Sequence, residues 1–199
     1  MKILKLIIAS FIVVFTVSGC SYKGGYNPDL VTKNADFNKS KVDKKVVIID
    51  HYNKVIEKKP RTFRGSANTI AMETASIGDN VSKLFMEQYF SDVSIGGSRN
   101  ESFIEMNVDV LDYAYNFGMI SDSVAMDIKI QVDVKQNDEL ILSKRYFEDV
   151  SNNNLASFAW LKGDITLYGQ GIETFHKGIF YILEEKVKPD LIKALKKRE

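Results

Sequence analysis

The sequence predicts an α+β fold, an antiparallel β meander packed against one short helix and one long C-terminal amphipathic helix. Three observations predict it. Met126, Ile128, Ile130, Val132 and Val134 alternate with Asp127, Lys129, Gln131, Asp133 and Lys135, and a period of two puts one face of a strand on a core and the other in water. Ile104, Met106, Val108 and Val110 alternate in the same way before the apolar phase moves to Leu111, Tyr113, Tyr115 and Phe117, the mark of a bulge near 110. Ile172, Phe175, Ile179, Phe180, Leu183 and Val187 recur at helical spacing, continued by Leu191, Ile192 and Leu195; that stripe suits a helix lying on the sheet.

The other elements follow in order. Val46-Val47-Ile48-Ile49 is a β-branched run ending at Asp50, suited to a strand buried on both faces. A loop is expected around Lys58-Lys59-Pro60, then a strand within Thr62 to Thr74 with Ile70 and Met72 on one face. Ser76-Ile77-Gly78-Asp79 has the spacing of an N-cap with an acidic residue at N3, and Ile77, Val81, Leu84, Phe85 and Gln88 then predict a helix over 77–90. Two long strands pair around Gly118 to Ser123, and Asn137-Asp138 turns the chain into a third strand, Glu139 to Phe147. In the C-terminal helix Pro189, which has no amide proton, is expected to kink or interrupt the hydrogen-bond ladder.

The first twenty residues carry a different signal. Lys2 and Lys5 precede an apolar run from Leu6 to Val17 that stops at Val17-Ser18-Gly19-Cys20. About 12 apolar residues are too few for a stable span, which needs roughly 20, and fit a secretion signal that is removed. The Val-Ser-Gly-Cys ending resembles the lipobox of bacterial prolipoproteins. That resemblance implies that the Cys20 thiol takes a diacylglyceryl group and that Cys20 becomes the mature N-terminus. The organisation expected is a cleaved signal peptide over 1–19, a lipidated flexible tether over 20–44 and a single α+β domain over 45–199. Gly24-Gly25, Asn27-Pro28 and scattered lysines mark the tether, whose coil span would be about 27 Å. The membrane partner is reached through the lipid, because several acyl chains at about 0.8 kcal/mol per buried methylene hold a protein permanently. Ser21 stands where enterobacterial lipoproteins retained at the inner membrane carry aspartate. An outer-membrane anchor facing the periplasm is therefore expected in a host with two membranes, and a cell-surface anchor otherwise.

Composition excludes several classes of chemistry. Cys20 is the one cysteine of the chain, so the exported domain has no disulfide, thiol nucleophile or cysteine metal ligand. Losing residues 1–19 takes Lys2 and Lys5 with it, leaving 25 of the 27 basic residues against 26 acidic ones. Such a balance gives no general field for nucleic acid. Only His51 and His176 offer imidazoles. Asp50-His51 could form a catalytic pair in a hydrolase, but a turn aspartate beside a partly exposed histidine explains it, and His176 reads as an interface or surface residue. Asp109, Asp112, Asp127 and Asp133 read as the wet face of the meander. No G-x-S-x-G occurs, and Gly96-Gly97-Ser98 lacks the lysine of a phosphate loop. No catalytic residue, cofactor or metal is expected. Trp160, in Phe158-Ala159-Trp160-Leu161, and Tyr115 and Phe117 with Ala114 are candidates to line an apolar groove.

As a layout, the helix before Asp92-Val93 and the pair of strands ending in Ser143-Lys144-Arg145-Tyr146 resemble YajG-type lipoproteins, and more loosely the lipopolysaccharide-assembly lipoprotein LptE. The resemblance spans roughly 76–197 and implies a non-enzymatic envelope component, with no residue roles to carry over. The expected function is an accessory or assembly component of a cell-envelope complex with an envelope protein as partner. The alternative is a lipoprotein that binds a lipid or small hydrophobic ligand behind the Met126 to Val134 strand. The oligomeric state is left open.

Overall fold

The alternation along 103–136 organises the molecule. A computed structural model describes residues 21–32, 35–38, 40–61, 68–97, 103–118, 124–152 and 164–196. Its strands are β1 (Ser21–Gly24), β2 (Val42–Ile48), β3 (Ile56–Lys58), β4 (Thr69–Met72), β5 (Phe90–Ile95), β6 (Phe103–Phe117), β7 (Val124–Gln136) and β8 (Glu139–Asn152). Helix α1 is Thr74–Glu87, and α2 (Asp164–Ile182) runs through a π-helical turn, Leu183–Val187, into α3 (Lys188–Lys196). The five-stranded sheet has the order β5-β2-β6-β7-β8, and a smaller sheet has the order β1-β4-β3.

The meander is as the sequence predicts. Met126, Ile128, Ile130, Val132 and Val134 are all fully buried. The register of β6 against β7 shifts between Val110 and Asp112, so Leu111 is the extra residue and Tyr113, Tyr115 and Phe117 return to the core face. Asn137 and Asp138 have φ of 50° and 65°, the left-handed pair that a two-residue hairpin turn requires. Strand β8 continues five residues past the expected Phe147, to Asn152.

Helix α2 lies close on this sheet because Gly178 lets it. A Cβ on Gly178 would sit 2.5 Å from Ile128 Cδ1 and 2.9 Å from Val150 Cγ2. The interruption expected at Pro189 takes the form of the π turn just before it. Proline cannot donate to the preceding turn, and a wider turn relieves the ladder there.

Several element boundaries differ from expectation. Helix α1 starts at Thr74 and not at 77, without a side-chain cap from Glu73. The Ala75 amide instead donates to the Lys54 carbonyl at 3.2 Å, so a distant loop does the capping. The helix ends at Glu87, because Phe90 already belongs to β5, which pairs in parallel with β2. Of the expected strand over 62–74, β4 covers Thr69–Met72, residues 62–67 lie outside the described residues, and β3 replaces part of the loop before Lys59. β2 is also parallel to β6, so the meander extends into a mixed sheet.

The largest correction concerns the tether. β1 pairs in parallel with β4 from Ser21↔Thr69 to Gly24↔Met72. Tyr22 stacks on Tyr168 of α2 with centroids 4.1 Å apart. The Asn27 amide donates to His176 Nε2 at 3.2 Å, Val31 is fully buried, and the Asp36 amide donates to Gln88 Oε1 at 2.7 Å. Each of these residues meets a different partner far along the chain, so the segment shows no helical or strand period. Its order is tertiary.

Candidate functional site

The fold places the sequence-derived candidates unevenly. Cys20 and Trp160 lie outside the described residues. Tyr115 and Phe117 are buried and meet edge to face at 5.3 Å. They belong to an aromatic row in which Tyr113 meets Phe175 and Phe117 meets Tyr168, so they join sheet to helix rather than line an open groove. The Tyr113 hydroxyl donates to the Ile70 carbonyl at 2.6 Å, and the Tyr115 hydroxyl to the Lys58 carbonyl at 3.1 Å. Burial pushes both phenols well above their ordinary range. These hydroxyls fasten the small sheet to the large one. Behind the Met126 to Val134 strand, Gly178 brings α2 against Ile128.

The histidines also differ from expectation. His51 does not pair with Asp50, whose carboxylate accepts from the Tyr52 amide at 3.2 Å. Its partner is Asp79 of α1, buried at 3% exposure, which takes the His51 backbone amide at 3.0 Å and Nδ1 at 2.7 Å. The Asp79 hydrogen bond raises the His51 pKa against the opposing effect of burial. Asp79 was legible only as a helix-capping acid. The earlier start of α1 moves it to the second turn, where it is free to hold the loop after β2. His176, expected at an interface or a surface, is fully buried within the domain. Its Nδ1 lies 2.8 Å from the Ile172 carbonyl while Nε2 accepts from Asn27, an arrangement that the neutral ring alone satisfies. Burial lowers its pKa.

Among the described residues the longest sheet margin without a strand partner is the outer edge of β8. Three hollows follow it in sequence. One of about 650 Å3 is bounded by Leu140 to Lys144 and by Asp190, Lys193 and Ala194 of α3. The second, about 380 Å3, takes Lys144 to Phe147 with Lys186 and Pro189. The third, about 640 Å3, takes Glu148 to Ser151 with Thr174, Lys177, Gly178 and Tyr181 of α2. Successive residues of a strand point to opposite faces, so hollows lined by unbroken runs of β8 lie along its edge. They form a groove between β8 and the C-terminal helices. Phe147 is 55% exposed beside it, and its carbonyl accepts from Lys186 Nζ at 2.8 Å.

Charge along this groove is uneven. Asp36, Glu148, Asp149, Glu184 and Glu185 line the third hollow, against Lys177 alone. Glu148 pairs with Lys186, and Lys177 with Glu173. Glu184 accepts from Gln88, Tyr89 and Lys188 at 2.6, 2.9 and 3.0 Å. Burial works to raise its pKa, but these donors outweigh it and the net shift is downward. Asp149 and Glu185 have no cationic partner among the described residues. Thr174 is 3% exposed, and its hydroxyl has no hydrogen-bond partner among the described residues.

Among the described residues no group of three or more His, Cys, Asp or Glu side chains is placed to hold a metal ion, and no helix is long and apolar enough to cross a membrane. No protein-family model matches the chain, and no curated protein matches it. Solved structures with a similar arrangement include protein XCC0632 from Xanthomonas campestris, described as DUF330, with 11% identity over 82% of this chain and 91% of that one and a TM-score of 0.48. The hypothetical protein CT253 from Chlamydia trachomatis has 8% identity over 73% and 96%, with a TM-score of 0.38. A minor lipoprotein from Acinetobacter baumannii has 11% identity over 72% and 92%, with a TM-score of 0.34.

Proposed function

We propose that the chain is a bacterial lipoprotein anchored through Cys20, in the outer membrane where the host has two membranes, and that it is a non-enzymatic accessory or assembly component of a cell-envelope complex. The observation that carries this reading is the Lys2 to Cys20 signal joined without a gap to a folded domain, since Ser21 is already paired with Thr69. A lipid at Cys20 would hold the domain against the bilayer and raise its effective concentration for partners in the same membrane. The open edge of β8 supplies unpaired backbone groups for such a partner. In this reading His51 and Asp79 serve to hold the loop after β2 on α1.

The test compares wild type with Cys20→Ala in cross-linked membranes. The wild type is expected in the membrane fraction with a stoichiometric envelope protein, and the variant in the soluble fraction without it. Recovery of the wild type alone, or with co-purifying lipid only, would overturn the accessory role. Membrane retention of Cys20→Ala would overturn the anchor.

A further inference from the structure

We propose that β8 takes up an extended, basic segment of a protein partner as a sixth strand of the larger sheet, with a Lys or Arg side chain of that segment seated in the hollow beside Glu148 to Ser151. This rests on the accessory reading and names the chemistry of the partner.

Three features converge on the same edge. The first is backbone polarity. Phe147 turns its carbonyl away from β7 to meet Lys186, and residues in step with it along an antiparallel strand turn their amides and carbonyls the same way. Asp149 and Ser151 are in step, and the register from Leu142 to Asn152 has no shift. A partner strand would hydrogen-bond to these groups, and one of its amides would replace the Lys186 ammonium at the Phe147 carbonyl.

The second is charge. Lys186 and Lys188 answer Glu148 and Glu184, but Asp149 and Glu185 are left without a cation in a hollow of about 640 Å3. An incoming ammonium or guanidinium supplies the missing charge, whereas an acidic segment would meet repulsion. The third is the Thr174 hydroxyl, buried at the wall of this hollow and unpartnered. A buried hydroxyl without a partner carries a free-energy cost, and a cationic donor in the hollow removes it. Tyr181, 47% exposed on the same wall, offers a ring face to that cation.

The test uses the full-length protein purified in detergent and two fluorescein-labelled octapeptides, one of alternating Lys and Val and one of alternating Glu and Val. Saturable binding of the Lys-Val peptide alone is expected, with slower amide exchange at 147–151. Asp149→Lys combined with Glu185→Lys should weaken it by at least about tenfold. Ser151→Pro removes one outward amide at an edge position that tolerates proline, and should weaken it similarly with an unchanged melting temperature. Absent binding, equal binding of the Glu-Val peptide, unchanged exchange along β8, or full affinity in both variants would each overturn the proposal. Cross-linked membranes separate this inference from the accessory reading. If both variants recover the same envelope protein at wild-type stoichiometry, the groove is not the contact and the accessory role stands. If the wild type recovers none while the Lys-Val peptide binds as described, the accessory role falls and the groove remains.

Discussion

His176 shows how a single residue changes meaning between sequence and structure. Beside Phe175 and Lys177 it reads as an interface or surface group, yet the ring is enclosed and holds the Asn27 amide through Nε2. Because its folded pKa lies below the ordinary value of about 6.5, its contribution to stability is full above that value and is lost as pH falls through the folded pKa. Amide exchange at Asn27 should therefore accelerate as pH is lowered below about 6.5, after correction for intrinsic rates. A flat profile would count against the pairing. His51 has the opposite sign: its pKa is raised, so its contribution is full below the ordinary value and is lost as pH rises through the folded one. Gly178 gives a second test at this scale. Alanine normally favours a helix by about 1 kcal/mol over glycine, but here its Cβ would press on Ile128 and on the stiff Val150 side chain. Gly178→Ala should lower stability by about 1–3 kcal/mol in a denaturant melt, and a more stable variant would mean that α2 stands further off the sheet.

At the scale of elements, legibility followed locality. The β7 alternation, the bulge at Leu111 and the turn at Asn137-Asp138 depend on neighbours in sequence, so pattern and turn chemistry were enough. The starts and ends of α1 depended on Lys54 and on β5, which are distant in sequence, and were misplaced. β3 and β5 are short and lack clean alternation; they exist because β4 and β2 offer them an edge. The π turn is of the same kind. Pro189 announces an interruption, but it is Gln88 and Tyr89 that give Glu184 its place within the turn. Glu184→Ala would leave the nearly buried Gln88 amide group without that acceptor, and should cost about 1–3 kcal/mol with faster exchange in the last turn of α1. An unchanged melt would show that the turn is held by packing alone.

For the whole molecule, the joining of the N-terminal segment to the core matters most. A flexible tether over 20–44 would be cut readily after Lys23, whereas β1 paired with β4 must open first. Trypsin under native conditions is expected to leave the Lys23–Gly24 bond intact while denatured protein is cut there, as read by mass spectrometry. Rapid native cleavage at that bond would restore the tether.

The candidate site divides in the same way as the fold. The lipobox-like ending is a contiguous motif, so the proposed anchor at Cys20 is argued residue by residue from the chain. The groove along β8 was not legible in this way, because it combines backbone edge groups with side chains of α2 and α3 that lie up to some fifty residues away along the chain. Tyr115 and Phe117 were singled out for being aromatic, and the row they form turned out to seal the core. By itself the sequence determined the α+β class and the meander with its bulge and turn, since each is written in a local period or a turn motif. Only the tertiary structure decided that the segment after Cys20 is part of the domain, that Asp79 rather than Asp50 holds His51, and that β8 is left as the open edge. Those outcomes depend on which distant surfaces meet, and burial and backbone pairing between remote segments leave no period in the chain.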